Sequence, residues 1–299
     1  METGRNCSDD GAMTTWPDGA PLLAAQSLRT LLGSPHLLVV DCRHDLFKPA
    51  FGRAAHAAGH IPGAVFASLD EDLSAPKRAD TGRHPLPAAE DFAAVLGRWG
   101  FTPLSQVVAY DQGNGAFAAR LWWMLRARGH ARVQVLDGGL AAWPAAGGTT
   151  EAAVPAITPT HVEVREFAGA VSTPEVARLL AARAITLFDA RGADRFAGQN
   201  ETIDPVAGHV PGAINMPFTA NLGPEQRFLA PAQLRQHWAE VTARAGGAPL
   251  VAMCGSGVTA CHNLLALELA GHQGAQLYAG SYSEWITDPS RPVTTGENP

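Results

Sequence analysis

The chain is punctuated by short, mainly apolar runs that stop at a polar or reactive residue. Leu37 to Val40 ends at Asp41, Val107 to Tyr110 at Asp111, Val133 to Leu136 at Asp137, Ile185 to Phe188 at Asp189, and Leu250 to Met253 at Cys254. Runs of four residues with little alternation predict strands buried on both faces, as in a parallel sheet. Between them lie longer segments with apolar residues three and four apart, and this spacing predicts helices over 21–32, 88–99, 116–128 and 259–270. Strand and helix alternate throughout, so the expected fold class is α/β, with mostly parallel sheets flanked by helices.

The pattern then repeats. Asp189 answers Asp41, the run Gly208-His209-Val210-Pro211-Gly212-Ala213 answers Gly59-His60-Ile61-Pro62-Gly63-Ala64, Leu250 answers Val107, and Gly280 answers Gly138, at offsets of 148, 149, 143 and 142 residues. Four landmarks at near-constant spacing predict two homologous domains in tandem. The expected division is a flexible leader over 1–15, domain 1 over 16–146, a Pro/Ala/Gly/Thr-rich linker over 147–160, domain 2 over 161–294 and a tail over 295–299. His60 and His209 recur in both halves, which suits a shared role in turn structure better than chemistry. Trp122 and Trp123 fall at helical spacing and read as core or interdomain packing.

Composition adds a few exclusions. With 46% hydrophobic and 17% charged residues the 299-residue chain can fill two globular cores. A formal net charge of -6 gives no reason to expect nucleic acid or an anionic membrane as partner, and no apolar run approaches the roughly 20 residues of a bilayer span. The four cysteines, Cys7, Cys42, Cys254 and Cys261, show no C-x-x-C pair and no metal-ligand spacing, so no metal and a reducing, cytoplasmic setting are expected. Cys42 and Cys261 read as small buried side chains, and Cys7 falls in the leader.

Cys254 is different. It ends a strand and opens the small-residue loop Gly255-Ser256-Gly257-Val258-Thr259 before a helix, where backbone N–H groups and the helix N-terminus favour a thiolate. The repeat supplies an internal control: Asp111 stands at the matching place in domain 1, where a carboxylate can cap the following helix. Domain 1 is therefore expected to keep the fold without the chemistry.

Duplicated domains, D-x-R after a strand, G-H-[IV]-P-G-A in each half and Cys254-Gly255-Ser256-Gly257-Val258-Thr259-Ala260-Cys261 together resemble the tandem rhodanese-type sulfurtransferases, most of all the 3-mercaptopyruvate sulfurtransferases. The resemblance implies two tandem rhodanese-like domains with five-stranded parallel sheets and an active site in the cleft between them. It also implies a Cys254 persulfide held by the amides of Gly255, Gly257, Val258 and Thr259, without a cofactor. It further implies a small sulfur compound as donor and thioredoxin, a small thiol or cyanide as acceptor. Arg195, in an R-F pair, matches the family's substrate-binding arginine. Arg191 is a second substrate-binding candidate, although its stronger reading is to tie the strand end to nearby carbonyls. Ser256, His84 and Asp70 match a proposed triad that helps move a proton. A second arginine, which family members carry a few residues after the first, has no counterpart in 198–205.

The neutral Gly255 and Ser256 favour 3-mercaptopyruvate, whereas thiosulfate relatives carry basic residues there. The missing arginine leaves thiosulfate as the alternative donor. A C-x5-R phosphatase would need arginine where Ala260 stands, and no phosphate-binding G-x-x-x-x-G-K-[ST] loop occurs. A non-catalytic sulfur-sensing or interaction module is the alternative of another class; the intact loop around Cys254 argues for an enzyme.

Overall fold

The computed structural model describes residues 20–297. The expected leader and Cys7 lie outside these residues. Domain 1 runs β1 (Leu22–Leu23), α1 (Ala25–Leu31), β2 (Leu37–Asp41), α2 (Phe51–Ala58), β3 (Val65–Phe66), α3 (Ala89–Arg98), β4 (Gln106–Tyr110), α4 (Ala118–Ala127), β5 (Val133–Leu136) and α5 (Gly139–Ala142). Domain 2 repeats the order: β6 (Ala170–Val171), α6 (Thr173–Ala181), β7 (Thr186–Asp189), α7 (Ala193–Phe196), β8 (Ile214–Asn215), α8 (Pro231–Ala245), β9 (Leu250–Met253), α9 (Thr259–Leu269), β10 (Gln276–Tyr278) and α10 (Ser281–Trp285). Each half forms a five-stranded sheet, ordered β1-β5-β4-β2-β3 and β6-β10-β9-β7-β8, with every pairing parallel.

The expected helix over 21–32 starts later than its spacing suggests. Leu22 and Leu23 instead pair with Val135 and Leu136 as an edge strand, and the helix begins at Ala25. Two apolar residues carry too little periodicity to separate the two states, and the exposed edge of β5 decides. The two-residue strands β3, β6 and β8 were not foreseen for the same reason.

Residues on the two faces of each sheet enter different cores. Val39, Val108 and Leu136 pack with Leu28 and Trp143 on one face of the first sheet. Val176, Leu187, Val251 and Trp285 do the same in the second. The opposite faces share one cluster that includes Val40 and Ala109 from domain 1, Phe188 and Ala252 from domain 2, and α4 and α9 between them. That position explains why eight residues of α9, from Ala260 to Leu267, are buried: a helix sandwiched between a sheet and another helix has no polar face to keep. Trp122 and Trp123 of α4 belong to this shared core.

The stretch read as a linker is fastened to domain 1. Glu151 pairs with His60 as an isolated bridge, and Thr160 N–H donates to the Gly97 carbonyl at 3.0 Å. Thr294 bridges His209 in the same way at the end of domain 2.

Candidate active site

Parallel sheets place their loops and ligand sites beyond the C-terminal ends of the strands. Cys254 follows β9 at that edge and is 2% exposed. Its backbone is fixed on both sides: its N–H donates to Ser281 Oγ at 3.1 Å and its carbonyl accepts from Tyr282 N–H at 3.0 Å. The Sγ atom accepts from the N–H of Gly257 at 3.1 Å and of Ser256 at 3.4 Å. Gly257 has φ +77°, and a Cβ there would sit 2.3 Å from the Ala279 carbonyl oxygen, so only glycine makes this turn. Val258 and Thr259 lead into α9, and the Val258 side chain belongs to the shared core.

Domain 1 shows the same cradle with a carboxylate in it. Asp111 accepts from the N–H groups of Gly113, Gly115, Phe117 and Ala118 at 2.9–3.2 Å. Burial raises its pKa, and these amides oppose the rise. The loop is thus an anion holder in both halves; Cys254 gives one of them a nucleophile.

Domain 1 also reaches into the cysteine loop. His84 Nδ1 is 2.8 Å from Ser256 Oγ, and its Nε2 is 3.4 Å from Asp70 Oδ1. Burial lowers the His84 pKa, with Asp70 opposing, while His84 holds the Asp70 carboxyl below the usual carboxylate range. A neutral imidazole carrying its proton on Nε2 faces Asp70 with a donor and Ser256 with an acceptor. The three residues expected to act together are therefore neighbours, although 172 residues separate His84 from Ser256.

The arginines separate into two kinds. Arg191 makes a bidentate pair with Asp189, donates to the Gly208 carbonyl at 2.9 Å and lies 3.9 Å from the centre of the Tyr282 ring. Arg43 binds Asp41 and the Gly59 carbonyl identically in domain 1, where there is no nucleophile. The duplication supports the strand-end role for Arg191. Arg195 is partly exposed, pairs with Glu201 at 2.9 Å and Asp204 at 3.0 Å, and its Nη1 comes within 3.7 Å of where a Gly255 Cβ would stand.

Two functional-site arginines were missed. Arg120 of α4, wholly buried, donates to the carbonyls of Gly257 at 3.0 Å, His84 at 3.1 Å and Leu73 at 3.3 Å, tying the cysteine loop to domain 1. Its signal was a single charge in the apolar run Ala118 to Leu125. Arg83 pairs with Asp204 and its Nη2 lies 2.6 Å from the Gly255 Cβ position. Nothing in its local sequence marked it beyond its place next to His84.

Among the described residues, the ligand atoms of His44, Asp70 and His84 lie within 4.8 Å of one another and could take a divalent cation, although the sequence showed no ligand spacing. The charges of Arg120 and Arg83, which bear on His84, oppose a cation there. His60 and His209 make backbone contacts, to His56 and Phe196 carbonyls at 2.7 and 2.8 Å, in keeping with a turn role.

The rhodanese-like domain model matches residues 24–146 and 172–288. A probable 3-mercaptopyruvate sulfurtransferase of Pseudomonas aeruginosa is 50% identical over 281 residues, covering 93% of this chain and 99% of the relative. A putative thiosulfate sulfurtransferase SseB of Mycobacterium tuberculosis is 41% identical over 285 residues, covering 93% and 98%. Among solved structures, the 3-mercaptopyruvate sulfurtransferase from Leishmania major superposes with a TM-score of 0.80 at 30% identity, covering 93% of this chain and 77% of that one.

Proposed function

This chain belongs to the rhodanese-like family, as a member with two domains in tandem, and from that premise we infer that it is a sulfurtransferase working through a persulfide on Cys254, with 3-mercaptopyruvate as donor. The observation that carries the reading is the Sγ atom of Cys254 cradled by the Ser256 and Gly257 amides, with Ser256 Oγ backed by His84. Such amides stabilise a thiolate and then a persulfide anion with no rearrangement between the two.

In the first half-reaction the Cys254 thiolate attacks the donor sulfur. An S–S bond forms, the C–S bond breaks, and its electron pair leaves on carbon as the enolate of pyruvate. The proton released from the donor thiol passes to that carbon through Ser256 and the neutral His84, which Asp70 orients; pyruvate departs and the persulfide anion remains. In the second, an acceptor thiolate or cyanide attacks the outer sulfur and Cys254 leaves as thiolate. Small thiols or thioredoxin fit as acceptors. No helix among the described residues is long and apolar enough to cross a membrane.

A specific feature keeps thiosulfate as a second reading. The stretch 198–205 offers two carboxylates, Glu201 and Asp204, and no arginine to a second oxyanion contact. Cys254→Ser is expected to reduce sulfur transfer from either donor to background while the folded protein keeps its circular dichroism and melting temperature. Parallel kcat/KM measurements on the wild type decide the donor, and a large preference for thiosulfate overturns the first choice.

A further inference from the structure

We propose that a cavity at the C-terminal end of α4 is a binding site, separate from the Cys254 cleft, for a single-ring carboxylate, with Arg128 and Arg165 holding its anionic group. The proposal does not depend on the sulfurtransferase reading above.

The cavity, of about 170 Å³, lies where three segments meet: Phe101 and Pro103 beyond α3, Arg128 and His130 beyond α4, and Val162 and Arg165 on the way to domain 2. The joining segment is fastened to domain 1 on both sides of it. Ala168 N–H donates to the Ala127 carbonyl at 2.9 Å, and Arg128 Nη2 donates to the Glu163 carbonyl. Arg120, which serves the Gly257 carbonyl of the cysteine loop, stands eight residues before Arg128 on the same helix. At 1.5 Å per residue this puts Arg128 about 12 Å along the helix from it, on the side away from the loop.

The lining is short of negative charge. Arg128 is 6% exposed, and burial, then the charge of Arg165, lowers its pKa while Glu163 opposes the fall. A guanidinium so buried ordinarily meets a carboxylate. Among the described residues none pairs with Arg128: the Glu163 carboxylate turns to Arg165 at 2.7 Å and leaves Arg128 its backbone carbonyl. Arg128 Nε and His130 Nε2 are both buried without a partner. Arg165 Nη1 comes within 3.7 Å of the Gly129 Cβ position, so the second guanidinium stands beside the first. Two guanidinium groups and the imidazoles of His130 and His161 thus share one carboxylate.

A plain structural role accounts for part of this. A cation at the end of α4 offsets the helix dipole, and its bond to the Glu163 carbonyl ties down the joining segment. Neither task calls for a second guanidinium next to the first, or for a cavity against both. The walls decide what carries the ligand's charge. Phe101, whose ring meets His130 edge-on at 4.8 Å between centres, forms with Pro103 and Val162 an apolar side that a bare oxyanion leaves uncovered. A cavity of about 150 Å³ takes a benzene ring, so one ring with a carboxylate at the arginine end fits here.

Benzoate is the probe. Isothermal titration of the full chain is expected to show saturable binding with a Kd on the order of 1 mM or below, and its absence overturns the proposal. Arg128→Gln is expected to raise that Kd by about 10- to 100-fold, whereas Arg195→Ala, changed in the Cys254 cleft, leaves it unmoved. The reverse pattern places benzoate in the cleft and overturns the site. Benzamide, with the same ring and no charge, is expected to bind at least about 10-fold more weakly; equal binding rules out the arginines as anion holders. Inorganic phosphate bound as tightly as benzoate overturns the ligand class. Should Arg128→Gln not fold, Arg165→Gln takes its place, since that side chain is exposed, and an unchanged Kd there overturns the assignment.

Discussion

Ser256 does two separable things through two atoms. Its N–H helps hold the Cys254 sulfur, and its hydroxyl meets His84 Nδ1. Ser256→Ala keeps the first and removes the second. The expected result is a loss of about 100- to 10,000-fold in kcat/KM for 3-mercaptopyruvate, with a stable persulfide still detectable on Cys254 after long incubation; full activity would take Ser256 and His84 out of the proton path. Gly255 shows how a residue choice can serve another side chain. Its φ is not in the left-handed region, yet a methyl group there would meet Arg83. Much of this was readable locally. The small-residue loop announced a cradle, and Arg191 was expected to tie the strand end to nearby carbonyls, as it does to that of Gly208, while its pairing with Asp189 was not foreseen. Arg83 was not readable, because its meaning comes from Gly255, 172 residues away.

At the scale of one element, the strand–loop–helix unit holds an anion in each domain, and domain 1 allows that unit to be tested apart from the chemistry. Asp111→Ala leaves the N–H groups of Gly113, Gly115, Phe117 and Ala118 facing a cavity. Unpaired buried donors cost about 1–3 kcal/mol each, softened by relaxation and water, so a loss of roughly 3–5 kcal/mol in unfolding free energy is expected. Denaturant titration measures it, and a change below about 1 kcal/mol would show that the cradle does not depend on its anion. The periodicity of these units made most of them legible. The failures were strands of two residues, such as Leu22–Leu23, where pairing to a neighbouring edge and not the run itself sets the conformation.

Across the whole molecule the domains share one core and therefore one fate on unfolding. His262 of α9 lies in that interface, its Nε2 donating to the Asn114 carbonyl of domain 1 at 3.0 Å and its Nδ1 facing Asn221 Nδ2 at 3.3 Å. Burial, opposed by the Asn114 carbonyl, pushes its pKa down to about 3. The unfolded chain binds a proton at this histidine below about pH 6.5, and the folded protein does not until about pH 3, so its contribution to stability is complete above the upper limit and is lost as pH falls through the window. One such site gives a slope of about 1.4 kcal/mol per pH unit. Unfolding midpoints measured from pH 7 to pH 4 are expected to fall less steeply in His262→Gln than in the wild type, and equal slopes would remove His262 as the source. Arg120 adds a second tie, since the carbonyls it serves belong to both domains.

The sequence by itself determined what is local or periodic: buried parallel strands, a duplicated fold, an anion-holding loop in each half, and the single thiol placed to use one of them. These follow from backbone geometry and hydrophobic spacing over a few residues. Only the tertiary structure decided which side chains domain 1 sends across the cleft. His84 and Asp70 had a family pattern to point to them, whereas Arg120 acquires its role from the burial of α4 against α9, a contact that an apolar run permits without specifying its partner, and Arg83 takes its place from the seating of its loop on α10.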